Sequence, residues 1–206
     1  MINTSPNSNP CELHLLPELV KQFGTTGDVL EFGTFSCESA MYLSQVFPDR
    51  QIFTIDHFEG LEKSNKSLPN SSDWSEGMFN LSHPIFVDNG RVPKNKEEAL
   101  KKLEPYKNVK MIISDVHDLK DPSDYGISKI SLVNLDVDIY EPSVSSLEFV
   151  SKCVWDKLFI RFDDWHGGEK EYDEHERLAF VEWIEKYNYK FEITHGGYIG
   201  GVFVER

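Results

Sequence analysis

The feature that most constrains the fold of this chain is a regular alternation of short apolar runs with longer amphipathic ones. Five short runs are rich in Val, Ile, Leu and Phe, as strands buried on both faces must be. Helical patterns lie between them, and this order predicts parallel strands joined by helical crossovers. The predicted strands are residues 28–32, 51–55, 109–113, 129–135 and 157–162, and the predicted helices are residues 11–23, 38–47, 96–104, 143–154 and 172–187.

The C-terminal part of the chain follows a different pattern. From Lys190 onward, KFEITHGGYIGGVFVER contains two strand-like runs joined by His195-Gly196-Gly197, which is typical of a hairpin. We therefore expect the last strand to be antiparallel to its neighbour. Together the patterns predict an α/β, Rossmann-like fold, with a mostly parallel seven-stranded sheet, an antiparallel C-terminal hairpin strand and helices on both faces.

Composition limits the number of domains and the kinds of partner. The 206 residues, 39% of them hydrophobic, are enough for one substantial hydrophobic core but too few for two domains of ordinary size. We therefore expect a single domain over residues 1–206. Residues 1–27 form its N-terminal segment and helix. The formal net charge of −14 opposes binding to nucleic acid or to an anionic membrane surface. We expect a small-molecule partner, and the sequence leaves a homo-oligomer open.

The cysteines and the N-terminus predict the compartment. Cys11, Cys37 and Cys153 are widely separated and form no C-x-x-C pair, which favours a reduced, cytoplasmic protein. The N-terminus lacks the apolar region of a signal peptide, and no run of about 18 apolar residues predicts a membrane span. We expect a soluble, unprocessed protein.

Residues 62–95 do not fit the alternation. The segment is polar and rich in turn residues, but it carries large apolar side chains that a disordered linker would rarely contain. A long loop inside a compact domain commonly covers a functional site. We therefore predict a lid over the carboxyl ends of the strands. Its large apolar residues are Trp74, Met78, Phe79, Ile85 and Phe86.

Acidic residues mark the ends of the predicted strands. Ligands of open α/β sheets bind outside the carboxyl ends of the strands, so these residues are site candidates. The first strand runs into EFGTFS, which places Glu31 and Gly33 at the turn and Ser36 as the N-cap of the next helix. One acid at such a position is often only a turn former, but five acidic endings indicate a site. The later strands end in Asp56, Asp115, Asp136 and the pair Asp163-Asp164.

The carboxylates after the fourth and fifth strands are expected to converge, because these strands are neighbours in most doubly wound sheets. Clustered carboxylates repel one another, and a hard divalent cation such as Mg²⁺ would offset that repulsion. The sequence therefore predicts metal ligands at Asp136, Asp163 and Asp164. Asp138, one pleat beyond Asp136, is the second choice.

The acid after the second strand indicates a nucleoside. Asp56 follows Gly33 at about the 20-residue spacing at which such an acid accepts hydrogen bonds from ribose hydroxyls. Residues 33–38 contain a single glycine, so the close backbone approach that a pyrophosphate needs is not provided. This counts against NAD or FAD and favours a nucleoside without phosphates.

Four segments, in this order, resemble the macrocin O-methyltransferase family of metal-dependent sugar methyltransferases, within the class I S-adenosylmethionine-dependent fold. The resemblance covers about residues 28–190. Its most specific parts are Asp136-Val137-Asp138-Ile139-Tyr140-Glu141, which resembles the family's D-x-D-x-Y-E, and Asp163-Asp164-Trp165, which resembles its D-D-Y. The four segments are VLEFGTFSCESA, IDHFEGL, NLDVDIYEPSVSSLEFV and RFDDWHGG.

The resemblance implies an O-methyltransferase that depends on S-adenosyl-L-methionine and Mg²⁺ and acts on a hydroxyl of a sugar or another vicinal diol. It implies that Asp136, Asp163 and Asp164 hold the metal and that Asp136 or His166 is the general base. The family usually carries a longer N-terminal region, so we expect an acceptor smaller than a macrolide. The candidate cofactor-binding residues are Glu31, Gly33, Ser36, Asp56, His57, Phe58, Asp115 and Val116.

Two other functions remain open at this point. Asp136-Val137-Asp138 also matches the D-x-D of metal-dependent glycosyltransferases, although that interpretation leaves Asp163-Asp164 unexplained and lacks the C-terminal hairpin. A cofactor-binding protein without catalytic activity is the other alternative, and it predicts binding without turnover.

Overall fold

The structure, a computed structural model, describes residues 9–66, 75–83, 86, 92–165 and 175–206. Short 3-10 helices occur at Leu13–Leu15, Val116–Asp118 and Pro122–Tyr125. The α-helices are α1 (Leu16–Phe23), α2 (Glu38–Val46), α3 (Lys96–Leu103), α4 (Tyr140–Lys152) and α5 (Glu176–Tyr187). The strands are β1 (Asp28–Phe32), β2 (Ile52–Asp56), β3 (Val109–Ile113), β4 (Ile130–Leu135), β5 (Lys157–Phe162), β6 (Lys190–Gly196) and β7 (Gly200–Glu205).

The strands form one seven-stranded sheet in the order β3-β2-β1-β4-β5-β7-β6. Strands β1 to β5 are parallel, and β7 pairs antiparallel with both β5 and β6. The predicted fold class is confirmed, and the five predicted parallel strands agree with the observed ones to within one residue.

Several element boundaries differ from the predictions. Helix α1 begins at Leu16, after a short 3-10 helix, rather than at residue 11, and α5 begins at Glu176 rather than at residue 172. Helix α4 begins at Tyr140, three residues before the predicted start, because Pro142 lies in the first turn, where its missing N–H is not needed. The hairpin turn lies after Gly196 rather than at His195-Gly196-Gly197. His195 and Gly196 pair with Gly201 and Gly200, so they continue β6.

Apolar layers cover both faces of the sheet. Successive strand residues point to opposite faces, so Val29 packs towards α1 and α2 while Leu30 packs towards α4 and α5. Strand β4 lies at the centre and is buried along its whole length. The core therefore holds the parallel strands rigidly and places their carboxyl ends along one edge.

The C-terminal hairpin packs against the residue that follows the predicted aspartate pair. The backbone N–H of Trp165 donates to the carbonyl of Tyr198 at 2.7 Å, and the indole is fully buried. A Cβ on Gly200 would overlap that indole ring. The hairpin thus closes over the end of β5 and fixes the backbone beside Asp164.

The three cysteines are free and buried. Burial raises the pKa of each of these thiols to about 12, so they are protonated and unreactive at neutral pH. Among the described residues, no helix combines the length and the apolar character that a membrane span requires.

We expect Gly200→Ala to destabilise the protein by about 3 kcal/mol in urea unfolding, because the added Cβ overpacks against buried Trp165. Gly24→Ala is the control. Gly24 has a left-handed φ of +65° but no described atom within 4 Å of an added Cβ, so the control reports backbone strain of about 1 kcal/mol. Equal losses in the two variants would contradict the close packing of the hairpin on Trp165.

Candidate active site

The five parallel strands end at one cavity of about 310 Å³. The cavity lies at the carboxyl edge of the sheet, where ligands of open α/β sheets bind. Its size falls within the range of about 300–1,000 Å³ that is usual for small-molecule sites. Each strand from β1 to β5 contributes a residue at or just after its end, and these are Gly33, Asp56, Asp115, Asp136 and Asp163.

Asp56, the last residue of β2, holds two loops with one carboxylate. Its Oδ2 accepts hydrogen bonds from the backbone N–H groups of Thr34 and Phe35, each at 2.8 Å, and its Oδ1 accepts one from Phe58 at 2.6 Å. Phe35 and Phe58 have left-handed φ angles of +35° and +63°. Such conformations cost about 1–3 kcal/mol each, and hydrogen bonds to a charged carboxylate offset that cost. Asp56 therefore shapes the cavity wall, and its contact with a ribose stays a prediction.

Gly33 allows the ends of two strands to approach closely. Its φ is +83°, and a Cβ at this position would overlap the carbonyl oxygen of Asp136. The N–H of Asp136 donates to the carbonyl of Phe32 at 2.9 Å across the same junction. The glycine that the sequence assigns to a cofactor loop thus also joins the ends of β1 and β4, and it lines the cavity.

Glu31 lies inside β1 rather than at the turn where the sequence placed it. Its fully buried carboxylate accepts hydrogen bonds from Thr54 Oγ1 at 2.6 Å and from Asn134 Nδ2 at 3.1 Å. Burial raises the pKa of the Glu31 carboxyl, and the hydrogen bonds from Thr54 and Asn134 act against that rise. Glu31 is not among the residues lining the cavity, and its polar contacts join β1 to β2 and β4.

The predicted N-cap at Ser36 is wrong by one residue. Cys37, with a left-handed φ of +65°, is the N-cap of α2 and makes no capping hydrogen bond through its side chain. Ser36 Oγ accepts only a long hydrogen bond, 3.4 Å, from the N–H of Glu38. Ser36 nevertheless lines the cavity and can still contact a ligand.

The end of β3 brings two predicted ligand residues together. Asp115 caps the following 3-10 helix by accepting the N–H of His117 at 2.9 Å, and its other oxygen lies 3.9 Å from His57 Nε2. His57 Nδ1 accepts the N–H of Glu59 at 2.9 Å, which leaves the ring hydrogen on Nε2, towards Asp115. His57, Asp115 and Val116 all line the cavity.

Phe58 does not line the cavity, unlike His57, Asp115 and Val116. Its side chain is 3% exposed and packs with Cys37, Ala40 and Leu81 in the apolar cluster between α2 and α3. Of the two roles open to Phe58 in the sequence, filling the core is the one that this packing supports.

Three carboxylates converge beside the cavity. Asp136, Asp138 and Asp164 each present one oxygen, and the three oxygens lie within 4.8 Å of one another. Burial, followed by the charges of Asp163 and Asp138, raises the pKa of Asp136 well above its usual range. Burial and the charge of Asp163 raise the pKa of Asp164 to about 7. The group is therefore a site of concentrated negative charge that a cation would stabilise.

The membership of this cluster differs from the predicted metal set. Asp136 and Asp164 belong to it, but Asp138 takes the third place. Asp138 has a left-handed φ of +63°, which turns the chain after β4. The Asp163 carboxylate instead accepts a hydrogen bond from the guanidinium of Arg161, a side chain only 5% exposed. That ion pair explains why Asp163 lies at the cavity wall without joining the cluster.

A fourth acid, Glu176, was missed by the sequence analysis. It is the first residue of α5 and is fully buried. Its Oε1 accepts the N–H of Val137 at 3.1 Å and its Oε2 accepts the N–H of Asp164 at 3.0 Å. Burial, followed by the charge of Asp164, raises the pKa of Glu176. The sequence pattern began this helix at residue 172, which placed Glu176 inside the helix rather than at its first turn.

The described part of the predicted lid contacts the cavity. Glu62 and Phe79 line it, and the Phe79 ring lies 5.4 Å from the Phe35 ring. His117 Nε2 lies 2.8 Å from Glu62 Oε1. The lid itself stays a prediction, because Trp74, Ile85 and much of the remainder lie outside the described residues, as does the predicted base His166.

Solved structures that superpose on this chain include several methyltransferases, whereas no protein-family model and no curated protein matches the sequence. The O-methyltransferase NovP superposes with a TM-score of 0.64 at 16% identity, over 94% of this chain and 78% of that one. CalS11, a calicheamicin methyltransferase, superposes with a TM-score of 0.62 at 15% identity, over 93% and 77%. A SAM-dependent methyltransferase from Aquifex aeolicus gives 0.52 at 18% identity, over 96% and 93%.

Identities this low establish likeness of fold. The chain has the Rossmann-like fold of the class I S-adenosylmethionine-dependent methyltransferases, as the sheet order and the hairpin indicate. A second CalS11 structure is described as a TDP-rhamnose 3'-O-methyltransferase and superposes with a TM-score of 0.55 at 15% identity. The resemblance to macrocin O-methyltransferases in particular stays a prediction.

The raised carboxyl pKa values predict how the stability of the metal-free protein depends on pH. The Asp136, Asp164 and Glu176 carboxyls bind protons more tightly in the folded protein than in the unfolded chain, where carboxyls titrate near pH 4. Their contribution to the free energy of unfolding is therefore fully present below about pH 4 and is lost as the pH rises through the folded-state values, about 7 for Asp164.

Urea unfolding in EDTA from pH 4 to 8 measures this loss. We expect Asp164→Asn to flatten the decline between about pH 5 and 8, since an amide does not titrate there. Asp49→Asn, at an exposed position in the turn before β2, is the charge-matched control and should leave the slope unchanged. A decline of equal slope in Asp164→Asn and in the unmodified chain would show that Asp164 does not titrate in this range.

Proposed function

We propose that this protein is an S-adenosyl-L-methionine-dependent O-methyltransferase that uses Mg²⁺ to act on a hydroxyl of a small sugar or another vicinal diol. The observation that carries the proposal is the cluster of Asp136, Asp138 and Asp164 oxygens beside the ligand cavity. The fold supports the same conclusion, because the structures that it resembles include an O-methyltransferase and a methyltransferase of a nucleotide-linked sugar.

The cavity fits a nucleoside with a positively charged sulfonium group. Ile55, Leu61 and Val137 supply apolar surface for a base and a thioether chain, while the acids at its wall favour a cation. Asp115 and Val116 lie where β3 ends and would contact the adenine. Asp56 keeps part of its acceptor capacity, because a carboxylate has about four lone-pair positions and three N–H groups occupy three of them.

The donor set of the acidic cluster fits a hard divalent cation. Its three ligand atoms are carboxylate oxygens, which Mg²⁺ prefers, and three such ligands leave positions for water or for two substrate hydroxyls. We assign the metal to Asp136, Asp138 and Asp164. Asp163 is left out of this set because its carboxylate pairs with Arg161.

The chemistry divides between the bound groups and the chain. When bound, the cation would lower the pKa of an acceptor hydroxyl and the cofactor would supply an electrophilic methyl group. The chain positions these groups at one cavity, since Asp136 belongs to the acidic cluster and its backbone touches Gly33 in the loop after β1. Asp136, whose pKa is raised by burial and by neighbouring acids, is suited to accept the hydroxyl proton.

The C-terminal hairpin favours this proposal over the glycosyltransferase alternative. Strand β7 is antiparallel to β5, and the glycosyltransferase interpretation lacked such a hairpin. That interpretation also used Asp136 and Asp138 alone, whereas Asp164 lies within the same cluster. A catalytically silent protein would bind the cofactor without turnover, so activity measurements separate it from the enzyme.

We expect S-adenosylmethionine at about 100 times its dissociation constant to stabilise the protein by about 2.7 kcal/mol in thermal unfolding.

Asp56→Asn should weaken cofactor affinity at least tenfold, because an amide cannot accept all three backbone N–H bonds. Isothermal titration calorimetry measures the affinity, and Asp49→Asn is the control. Unchanged affinity in Asp56→Asn would remove Asp56 from the site, and a shift with nucleotide-sugars and Mn²⁺ only would favour the glycosyltransferase.

We expect Asp164→Asn and Asp138→Asn to abolish metal-dependent methyl transfer while cofactor affinity stays within about twofold, because both residues supply ligand oxygens. Asp163→Asn should retain more metal affinity than either, since its partner is Arg161. Mn²⁺ binding followed by electron paramagnetic resonance ranks the three variants directly. Loss of Mn²⁺ in Asp163→Asn but not in Asp138→Asn would restore the metal set expected from the sequence.

A further inference from the structure

We propose that Glu176 is a positioning residue that holds the two ligand-bearing loops of the metal site in register. The inference rests on the proposed function, since it concerns the cation that Asp136, Asp138 and Asp164 would bind. Glu176 does not belong to that cluster. It binds backbone N–H groups in the two loops that carry the proposed ligands.

The contacts of Glu176 join the two loops at the level of the main chain. One carboxylate oxygen accepts the N–H of Val137, which lies between Asp136 and Asp138, at 3.1 Å. The other oxygen accepts the N–H of Asp164 itself at 3.0 Å. A single rigid group thus spans from the loop after β4 to the loop after β5. Because the Glu176 side chain is fully buried and binds both loops, it restricts the separation of the three ligand side chains.

Packing of α5 determines where Glu176 lies. Phe180, one turn later in the helix, packs with its ring 5.4 Å from the rings of both Phe162 and Trp165. Those two residues flank the Asp163-Asp164 pair in the sequence. The helix is therefore fixed against the same stretch of chain that its first residue binds, and Glu176 has little freedom to move away from Asp164.

The position of Glu176 at the start of α5 offsets part of the cost of burying its charge. The first turn of a helix carries unpaired N–H groups and a partial positive charge, which favours a carboxylate there. Two further N–H groups from the loops bind the carboxylate oxygens. These contacts make the burial of a fourth acid beside three others compatible with the fold.

The test compares cation affinity in Glu176→Gln and Glu176→Asp with the unmodified chain, by electron paramagnetic resonance of Mn²⁺ and by calorimetry. Glu176→Gln keeps the length of the side chain but replaces one acceptor oxygen by an amide NH2 group. That group cannot accept a hydrogen bond from the backbone N–H that faces it. Glu176→Asp keeps the charge but is too short to reach both loops. We expect both variants to bind Mn²⁺ about 10–100-fold more weakly, with cofactor affinity within twofold of the unmodified chain.

Ala179→Gly is the control for simple destabilisation, because Ala179 is buried on the same helix and lines a groove with Val144 and Glu148 of α4. It should lower the unfolding midpoint and leave Mn²⁺ affinity unchanged. Amide hydrogen exchange gives a readout that needs no metal, and the N–H groups of Val137 and Asp164 should lose protection in Glu176→Gln but not in Ala179→Gly.

The outcomes separate this inference from the proposed function. If Glu176→Asp binds Mn²⁺ as the unmodified chain does, the role of Glu176 is its charge and the positioning proposal is wrong. Unchanged affinity in both Glu176 variants, or an equal loss in Ala179→Gly, also overturns it while leaving the metal site in place. Absence of Mn²⁺ binding by the unmodified chain, with cofactor binding intact, would overturn the metal-dependent function and this inference together.

Discussion

A buried polar chain through the sheet, Glu31–Asn134–Arg161–Asp163, is the interaction on which the site depends. Asn134 donates to Glu31 at 3.1 Å and accepts from Arg161 at 2.7 Å, so that β1, β4 and β5 are joined side chain to side chain just below the cavity. Arg161 then binds Asp163 and also donates to the carbonyl of Cys11 at 3.0 Å, which ties the N-terminal segment to the same place. Its buried positive charge acts against the rise in the pKa of Asp136 and Asp164. Without that charge, the acids at the ends of β4 and β5 would repel one another still more strongly.

Two carboxylates, Asp56 and Glu176, each bind backbone N–H groups of two loops that follow strands. Asp56 binds the N–H groups of the loops after β1 and β2, and Glu176 binds those of the loops after β4 and β5. Loops at strand ends have backbone donors without ladder partners, and a carboxylate can accept from several of them at once. The left-handed residues Phe35, Phe58 and Asp138 all lie in loops held in this way. At these three positions, a buried or half-buried acid therefore helps to hold a strained backbone conformation in place.

The sequence predicted the sheet well because strands buried on both faces leave a strong apolar signal that depends only on local composition. It predicted the edge of the sheet at which the cavity lies for a related reason, since parallel strands end at one edge. The side-chain directions after the strand ends were harder, because period-two alternation stops where the strand stops. Arg161 and Asp163 are two residues apart and so share one face of the extended chain. That spacing is a sequence signal for an Arg161–Asp163 ion pair, and it points the Asp164 side chain the other way. Glu176 had no such signal, because its partners are backbone groups in loops distant in the sequence.

The strand order separates the proposed cofactor side of the cavity from the proposed acceptor side. Strands β2 and β3, with Asp56 and Asp115, lie on one side of β1, and β4 and β5, with the acidic cluster, lie on the other. A nucleoside bound at the first side and a hydroxyl held at the second can meet only above the loop that follows β1. Gly33 joins that loop to Asp136, because its missing side chain lets the two strand ends touch. The loop therefore has to be both close to the acidic cluster and rigid. The N–H bonds to Asp56 hold the backbone of the loop, including left-handed Phe35.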